Sequence, residues 1–420
     1  MLHSRLSILL GLLVLAPQVV AATFTANSSI DAPDNNPGDG LCRSDMLPAS
    51  TCTLRAAIME ANALAGSHII NLQSGRTYTL SRAGVDNTAV NGDLDITKSL
   101  IVWCLNCGQR PVLDVNGLDR GFDIHAGEVL LSGFDITGGV ASSGAENRGG
   151  AVRVRAGAGT TTLSQMRLYD NQSTGPGGAF YNEGPDTVIL TSELFDNEVT
   201  GDASGTAILN FNVLTVRRSA VFGNAGNAPL RAAIATAASD GMPGRLTLEN
   251  TTVSSNIGVG VAVNNSGFTR IFNSTIVGNT LRGLEVVGAT PAVTTNNSLI
   301  ARNGNPQCAV SAPNGAFAGE YNLFSDSSCA VFANASLQGV APLLTPLKRR
   351  SGGTTVTHLH WPRSDSPALS AGSVMQVGGC LDVDQLGISR PQGHNGTVRC
   401  DIGAAEVPDD ALFFDSLETL

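Results

Sequence analysis

Asp170 and Asp196 stand 26 residues apart, each directly before an asparagine. Presented one structural repeat apart, their backbones would lie about 5 Å from each other, near enough to raise one pKa and permit acid–base roles. The equivalent places further on hold Gly223, Ser255, Gly278 and Arg302, so the carboxylate pattern stops. The plainer reading makes Asp, Gly and Ser turn residues. Asp93 and Asp95 alternate onto one strand face and offer oxygen ligands to a cation, with Asp114 or Asp119. A structural part suits them better, and no metal is expected. Tyr169, Phe195 and Phe222 share a repeat position and should point outward, as a strip against which sugar rings pack. The plainer reading is that a loop covers them or that they stack inside the bend. His358 and His360 sit with Trp361 and form no metal constellation, and no phosphate loop, nucleophile elbow or zinc signature appears.

The elements that position these residues are repetitive. Six phrases, MRLYDN, SELFDN, SAVFGN, TTVSSN, STIVGN and SLIARN, end at Asn171, Asn197, Asn224, Asn256, Asn279 and Asn303. Their spacings of 26, 27, 32, 23 and 24 residues mark a solenoid. A second set, from GGAVRVRA (149–156) to GLEVVGAT (283–290), precedes the asparagine set by roughly half a repeat, so each repeat holds at least two short strands. The expected fold is a right-handed parallel β-helix of about ten coils. Leu168, Leu194, Val221, Val253, Ile276 and Ile300 should form a buried aliphatic row. The asparagines should then line a bend, bonding to one another and to turn backbone. Sequons such as those at Asn171 and Asn273 read as by-products of that pattern.

An amphipathic helix with Thr53 as N-cap and Gly66 as stop should cover the first coil. The domain reading is a signal peptide over 1–22, an N-terminal cap over 23–66, the β-helix over 67–340, a loop-rich C-terminal cap over 341–408 and a tail over 409–420. Arg5, the apolar run Leu6 to Ala16 and the small residues Val20-Ala21-Ala22 carry the signal reading. No transmembrane span is expected after its removal. The net charge is −10, and losing Arg5 would leave about −11 (−10 − 1). That acidity argues against nucleic acid and anionic membrane as main partners. The eight cysteines fall into close pairs, Cys42/Cys52, Cys104/Cys107, Cys308/Cys329 and Cys380/Cys400. An exported chain with an even number favours disulfides, although eight cysteines allow 105 connectivities and CxxC also occurs in redox and metal sites.

NSSIDAPDNNPGDGLC (27–42) with CTLRAAIMEANAL (52–64) and NGDLDIT (91–97) resembles the N-terminal signature of the CSLREA-domain proteins. GGTTVTHL (352–359), SPALSAG (366–372), DQLGISRPQG (384–393) and CDIGAAE (400–406) resemble the terminal module called choice-of-anchor Q. The resemblance covers both ends of the chain and implies a right-handed β-helix exported by a bacterium, with no defined reaction. Ala56 departs from the glutamate of the family motif, and Ser370 from an aspartate. ALFFDSLETL (411–420) resembles a short sorting or anchoring signal.

Two functions from different classes follow. The first is a non-catalytic secreted or cell-surface scaffold, monomeric and needing no cofactor, on a Gram-negative envelope, binding glycan or surface-protein partners. The second is a polysaccharide lyase or glycoside hydrolase, for which alone a Ca²⁺ would be expected. The scaffold ranks first because no complete catalytic set recurs on one face.

Overall fold

The computed structural model describes residues 21–105, 107–142, 144, 147–227, 231–238, 242–349, 357–374, 379–392 and 399–408. The expected signal segment, apart from residues 21–22, and the tail at 409–420 lie outside them. Every coil is built from short strands because β-branched and small apolar residues alternate between Gly, Asn and Asp corners. In one coil Thr161–Ser164 lies in sheet one, Arg167–Tyr169 in sheet two and Phe180–Asn182 in sheet three. Thr187–Leu190 then returns to pair in parallel with Thr161–Ser164. Sheets one and two hold eleven strands each and sheet three holds nine, slightly different from the ten coils expected. The protein is a parallel β-helix.

The expected aliphatic row is continuous in sheet two. Leu168 pairs with Leu194, Leu194 with Val221, and so on to Ile300, and all six residues are at most 1% exposed. Sheet two is bounded in these coils by two left-handed corners. They fall at Gln165/Asp170, Thr191/Asp196, Arg218/Gly223, Asn250/Ser255, Asn273/Gly278 and Asn297/Arg302, with φ between +46° and +68°. The two corners are five residues apart in every pair. This conformation is open to Gly, Asn and Asp at little strain, which accounts for the Asp, Gly and Ser succession beginning at Asp170.

Behind each corner runs a ladder. The Asn197 Oδ1 accepts from both the backbone N–H (3.1 Å) and the side-chain amide (3.0 Å) of Asn171. The same double bond repeats through Asn224, Asn256, Asn279 and Asn303, and Gln307 Oε1 closes the row. Each amide also donates inward, as Asn197 Nδ2 does to Leu168 O (2.9 Å), so backbone left unpaired by the bend is satisfied. The second corner carries hydroxyls. Met166 N–H donates to Ser192 Oγ, Ser192 N–H to Ser219 Oγ, Thr251 N–H to Ser274 Oγ and Ser274 N–H to Ser298 Oγ. The Asn171 and Asn273 sequon residues are fully buried here, inside the turn architecture.

Helix Leu54–Ala63 closes the N-terminal end, its first turn capped by Thr53 Oγ1, which accepts from Ala56 N–H at 3.0 Å. Leu54, Ala57, Ile58 and Ala61 enter the core as the periodicity predicts. The opposite face is buried too, a departure from an amphipathic lid, because Arg55 and Glu60 find internal partners. Glu60 accepts from the backbone N–H groups of Gly38 and Gly40, both at 2.5 Å. Arg55 pairs with Asp31 at 2.5 Å and donates to the carbonyls of Ala89, Gly92 and Asp93. Residues 23–26, placed in the cap by the sequence reading, form the first strand of sheet one.

The far end is closed by the turn Ala330–Phe332, where the buried Phe332 meets Phe317 edge-on at 5.7 Å. The described residues of segment 341–408 instead pack along the outer flank of sheet two. Leu344, Ala368 and Ile402 pack there on Val277, Leu299, Ala301 and Leu323. The four disulfides join nearest neighbours, Cys42–Cys52, Cys104–Cys107, Cys308–Cys329 and Cys380–Cys400, with Cα–Cα separations of 5.1, 5.7, 5.1 and 5.7 Å. Such bonds persist in oxidising compartments outside the cytosol.

Candidate functional site

Alternation along sheet two sends two rows of side chains outward, either side of the buried Leu168 row. The first row alternates in charge. Arg110 Nε meets Asp135 at 2.5 Å, and Arg167 lies between Asp135 (4.0 Å) and Glu193 (3.4 Å). Glu193 in turn holds Arg349 at 2.5 Å and the His358 ring at 2.6 Å. Burial would raise the Glu193 carboxyl, but the His358 hydrogen bond and the Arg349 charge outweigh it and hold the group below its usual range. Burial first, and then Arg349, depress Arg167. The neighbouring carboxylates oppose that shift.

The second row is aromatic. Tyr169 and Phe195 stack with ring centroids 5.1 Å apart, and Phe195 and Phe222 at 5.0 Å, nearly coplanar in orientation. The coil rise sets this distance, which is also a stacking distance. The faces of the inner rings are therefore taken by their neighbours, and the row presents edges to solvent. At one end the His358 ring covers Phe222 at 4.7 Å. At the other end no fourth ring follows, since Thr137 stands opposite Tyr169 and hydrogen-bonds its hydroxyl. Tyr169 is half-buried and is the last ring of the row on this side.

Asp170 and Asp196 follow these rings at the left-handed corner, exposed and one coil apart. Among the described residues neither meets a cationic side chain within 4 Å. Burial first, and the Asp170 charge second, push the Asp196 carboxyl up.

Asp93 and Asp95 belong to a different assembly, on the outer side of sheet three beneath the N-terminal cap. Asp93 binds Arg120 Nε at 2.6 Å, and Asp119 lies 3.4 Å from the same guanidinium. Asp95 accepts from Ala89 N–H and meets His125 Nε2, each at 2.8 Å. Asp114, the other partner considered for a cation, stands on sheet two. Asp123 adds a further carboxylate, clamped by Arg155 at 2.9 and 2.6 Å. Burial and the neighbouring carboxylates raise Asp93 well above the ordinary range. Asp95, Asp123 and His125 bring ligand atoms within 4.8 Å of one another. Their donors already serve guanidinium and amide groups, so a hard cation would have to displace Arg155, and this set does not fit calcium.

The solenoid is similar to the solved structures of two lyases. A pectate lyase, Pel9A, superposes with a TM-score of 0.51 at 14% identity, covering 93% of this chain and 97% of that one. A rhamnogalacturonan lyase gives a TM-score of 0.45 at 12% identity, with 82% of this chain and 96% of that chain covered. At such identity the likeness is one of fold. No family model matches the sequence, and no curated protein matches it either.

Sequence reasoning located the aromatic row and both carboxylates but missed the residues that neutralise their surroundings. Asp135, Arg167 and Glu193 occupy the position two before the aromatic or its equivalent, and that periodic charge was a usable signal. Arg349 and His358 come from the distant segment and leave no local trace. Arg120 and Arg55 are nearly fully buried, which nothing in their flanking residues announces.

Proposed function

We propose that this protein is an exported bacterial β-helix scaffold that holds a glycan on the flank of sheet two without cleaving it. The observation that supports the reading is the aromatic row, covered by His358 at Phe222 and ending, among the described residues, at the half-buried Tyr169. A sugar ring packs its C–H face on Tyr169, while Asp170 and Asp196 accept hydroxyl hydrogens. Asp135 and Glu193 are engaged by arginines, so the carboxylates left to meet a glycan on that flank, among the described residues, are Asp170 and Asp196. The finer family assignment, CSLREA with choice-of-anchor Q, rests on the quoted motifs. Secretion through the segment 1–22, a monomeric state and a Gram-negative envelope belong to the same proposal. No helix among the described residues is long and apolar enough to cross a membrane.

The second reading is a polysaccharide lyase, favoured by one observation, the depressed Arg167 between two carboxylates. Arginine as a base must lose its proton, and Asp135 and Glu193 both stabilise the charged form. Ca²⁺ enters only with this reading. The test is to incubate the mature chain with neutral and uronic glycans, with and without calcium. Retention in affinity gels without unsaturated products or new reducing ends is expected. Release of either product, abolished by Arg167→Gln, would replace the scaffold with the lyase, and no retention of any glycan would end both readings.

A further inference from the structure

A cavity opens where the last coils meet residues 341–344 and Arg363, far from Tyr169. We infer that this pocket binds the carboxylate of a sugar acid, through Arg302 and Arg363. It encloses about 590 Å³, enough for a monosaccharide, and is lined by Arg302, Ser325, Pro342, Leu343, Leu344 and Arg363 among others.

Most described arginines lie against a carboxylate, as Arg55, Arg120, Arg155, Arg217 and Arg390 do. Arg302 is exposed and, among the described residues, has no carboxylate within 4 Å. Its backbone N–H donates to Ser325 Oγ at 3.1 Å, which fixes that hydroxyl at the pocket and leaves its hydrogen to donate to a ligand. Arg363 lies 3.6 Å from Asp365, and its N–H donates to Leu343 O at 2.9 Å. Arg302 and Arg363 thus bring two guanidinium side chains to the lining, and a planar carboxylate meets a guanidinium through a bidentate pair of hydrogen bonds.

Leu343 supplies the other half of the recognition. It holds φ at +47° and is 37% exposed, an uncommon conformation for a bulky residue. Backbone strain of this kind persists where the surroundings enforce it, often at ligand sites. With Pro342 it forms an apolar wall beside the two guanidiniums, matching the C–H face of a pyranose next to its carboxylate. Arg302 shares the corner row of Asp170 and lies five coils along, roughly 24 Å away at about 4.8 Å per coil. The pocket therefore stands independently of the Tyr169 reading.

The experiment titrates the mature chain with D-glucuronate, D-galacturonate, glucose, galactose, acetate and inorganic phosphate by heteronuclear NMR, at low and physiological salt. Uronates should bind, several-fold more weakly at the higher salt, with shifts centred on Ser325 and Leu343. Arg302→Gln and Arg363→Gln should each weaken them at least tenfold. Arg270→Gln, an exposed arginine on sheet one, should change nothing. Because Arg302 is exposed, its variant is checked for an unchanged melting curve. Uronate binding unaffected by Arg302→Gln overturns the inference. Equal binding of hexoses, acetate or phosphate does so as well. Tyr169→Ala should leave uronate binding intact, separating this site from the glycan flank.

Discussion

The two segments that protect this solenoid do so by different physics. The helix Leu54–Ala63 lies across an open end, where core strands would otherwise meet water, and it is locked by charge. Arg55 is 1% exposed and has Asp31 and three carbonyls as partners. Segment 341–408 lies along a flank whose strands already have their backbone partners above and below. It docks through apolar contacts and mostly neutral hydrogen bonds, such as Thr252 Oγ1 to Gln385 Oε1 (2.7 Å) and Ser373 N–H to Asn297 Oδ1 (2.8 Å). An end must be sealed for the core to exist. A flank is covered for some other purpose, here the sealing of one end of an aromatic row.

Breaking the charge lock should have the largest effect. Arg55→Met leaves Asp31 buried without its cation and is expected to cost about 3–5 kcal/mol, read as a lowered denaturant midpoint. A loss under 1 kcal/mol would make the lock dispensable and erase the contrast between the two segments. The ladder beneath both segments comes next. Asn224→Ala strands the Asn197 N–H and two carbonyls, for about 3 kcal/mol, whereas Ser219→Ala should lose only about 1–2 kcal/mol.

Docking of the flank segment should respond to pH through His360, which meets Ser254 Oγ and Thr345 O, each at 2.8 Å. Burial lowers its pKa to about 4 from an ordinary 6.5. The folded form excludes a proton that the unfolded chain accepts, so stability is lost as pH falls from about 6.5 towards 4, by up to about 3 kcal/mol. Glu406, raised by burial to about 7, acts with the opposite sign and weakens the segment as pH rises from 4.5 through 7. His360→Gln should flatten the acid limb of a melting-temperature profile and leave the alkaline limb; an unchanged acid limb would remove the histidine from the account. Smallest in stability is Tyr169→Ala, which loses one ring stack and is expected to cost about 1 kcal/mol. Glycan retention should nevertheless fall at least tenfold, and an unchanged retention would place the ligand elsewhere.

Much of the solenoid was legible because one residue type recurs at a fixed place. The Asn171 series and the Leu168 row could be aligned by eye. The hydroxyl ladder was equally periodic, with Ser192, Ser219, Thr251, Ser274 and Ser298 each five residues before a ladder asparagine, yet Ser and Thr are too common in turns to stand out. The outward direction of Tyr169, Phe195 and Phe222 follows from alternation, but their mutual stacking follows from coil rise, a property of neighbours rather than of any strand. Partners brought from segment 341–408 were illegible for a simpler reason. Glu193 and His358 are 165 residues apart, and no repeat connects them.

The five-residue interval between paired corners carries one last implication. Coils from Asn171 to Asn303 differ in length by up to nine residues (32 − 23), yet that interval never changes. Every added residue has been taken up outside sheet two. An insertion within the interval would invert the strand beyond it, turning the Leu168 row outward and the aromatic row into the core. Loops bordering sheet three face no such penalty. The molecule thus has one side whose length is invariant and another that can be lengthened freely, and new recognition elements can be spliced into the second without disturbing the first.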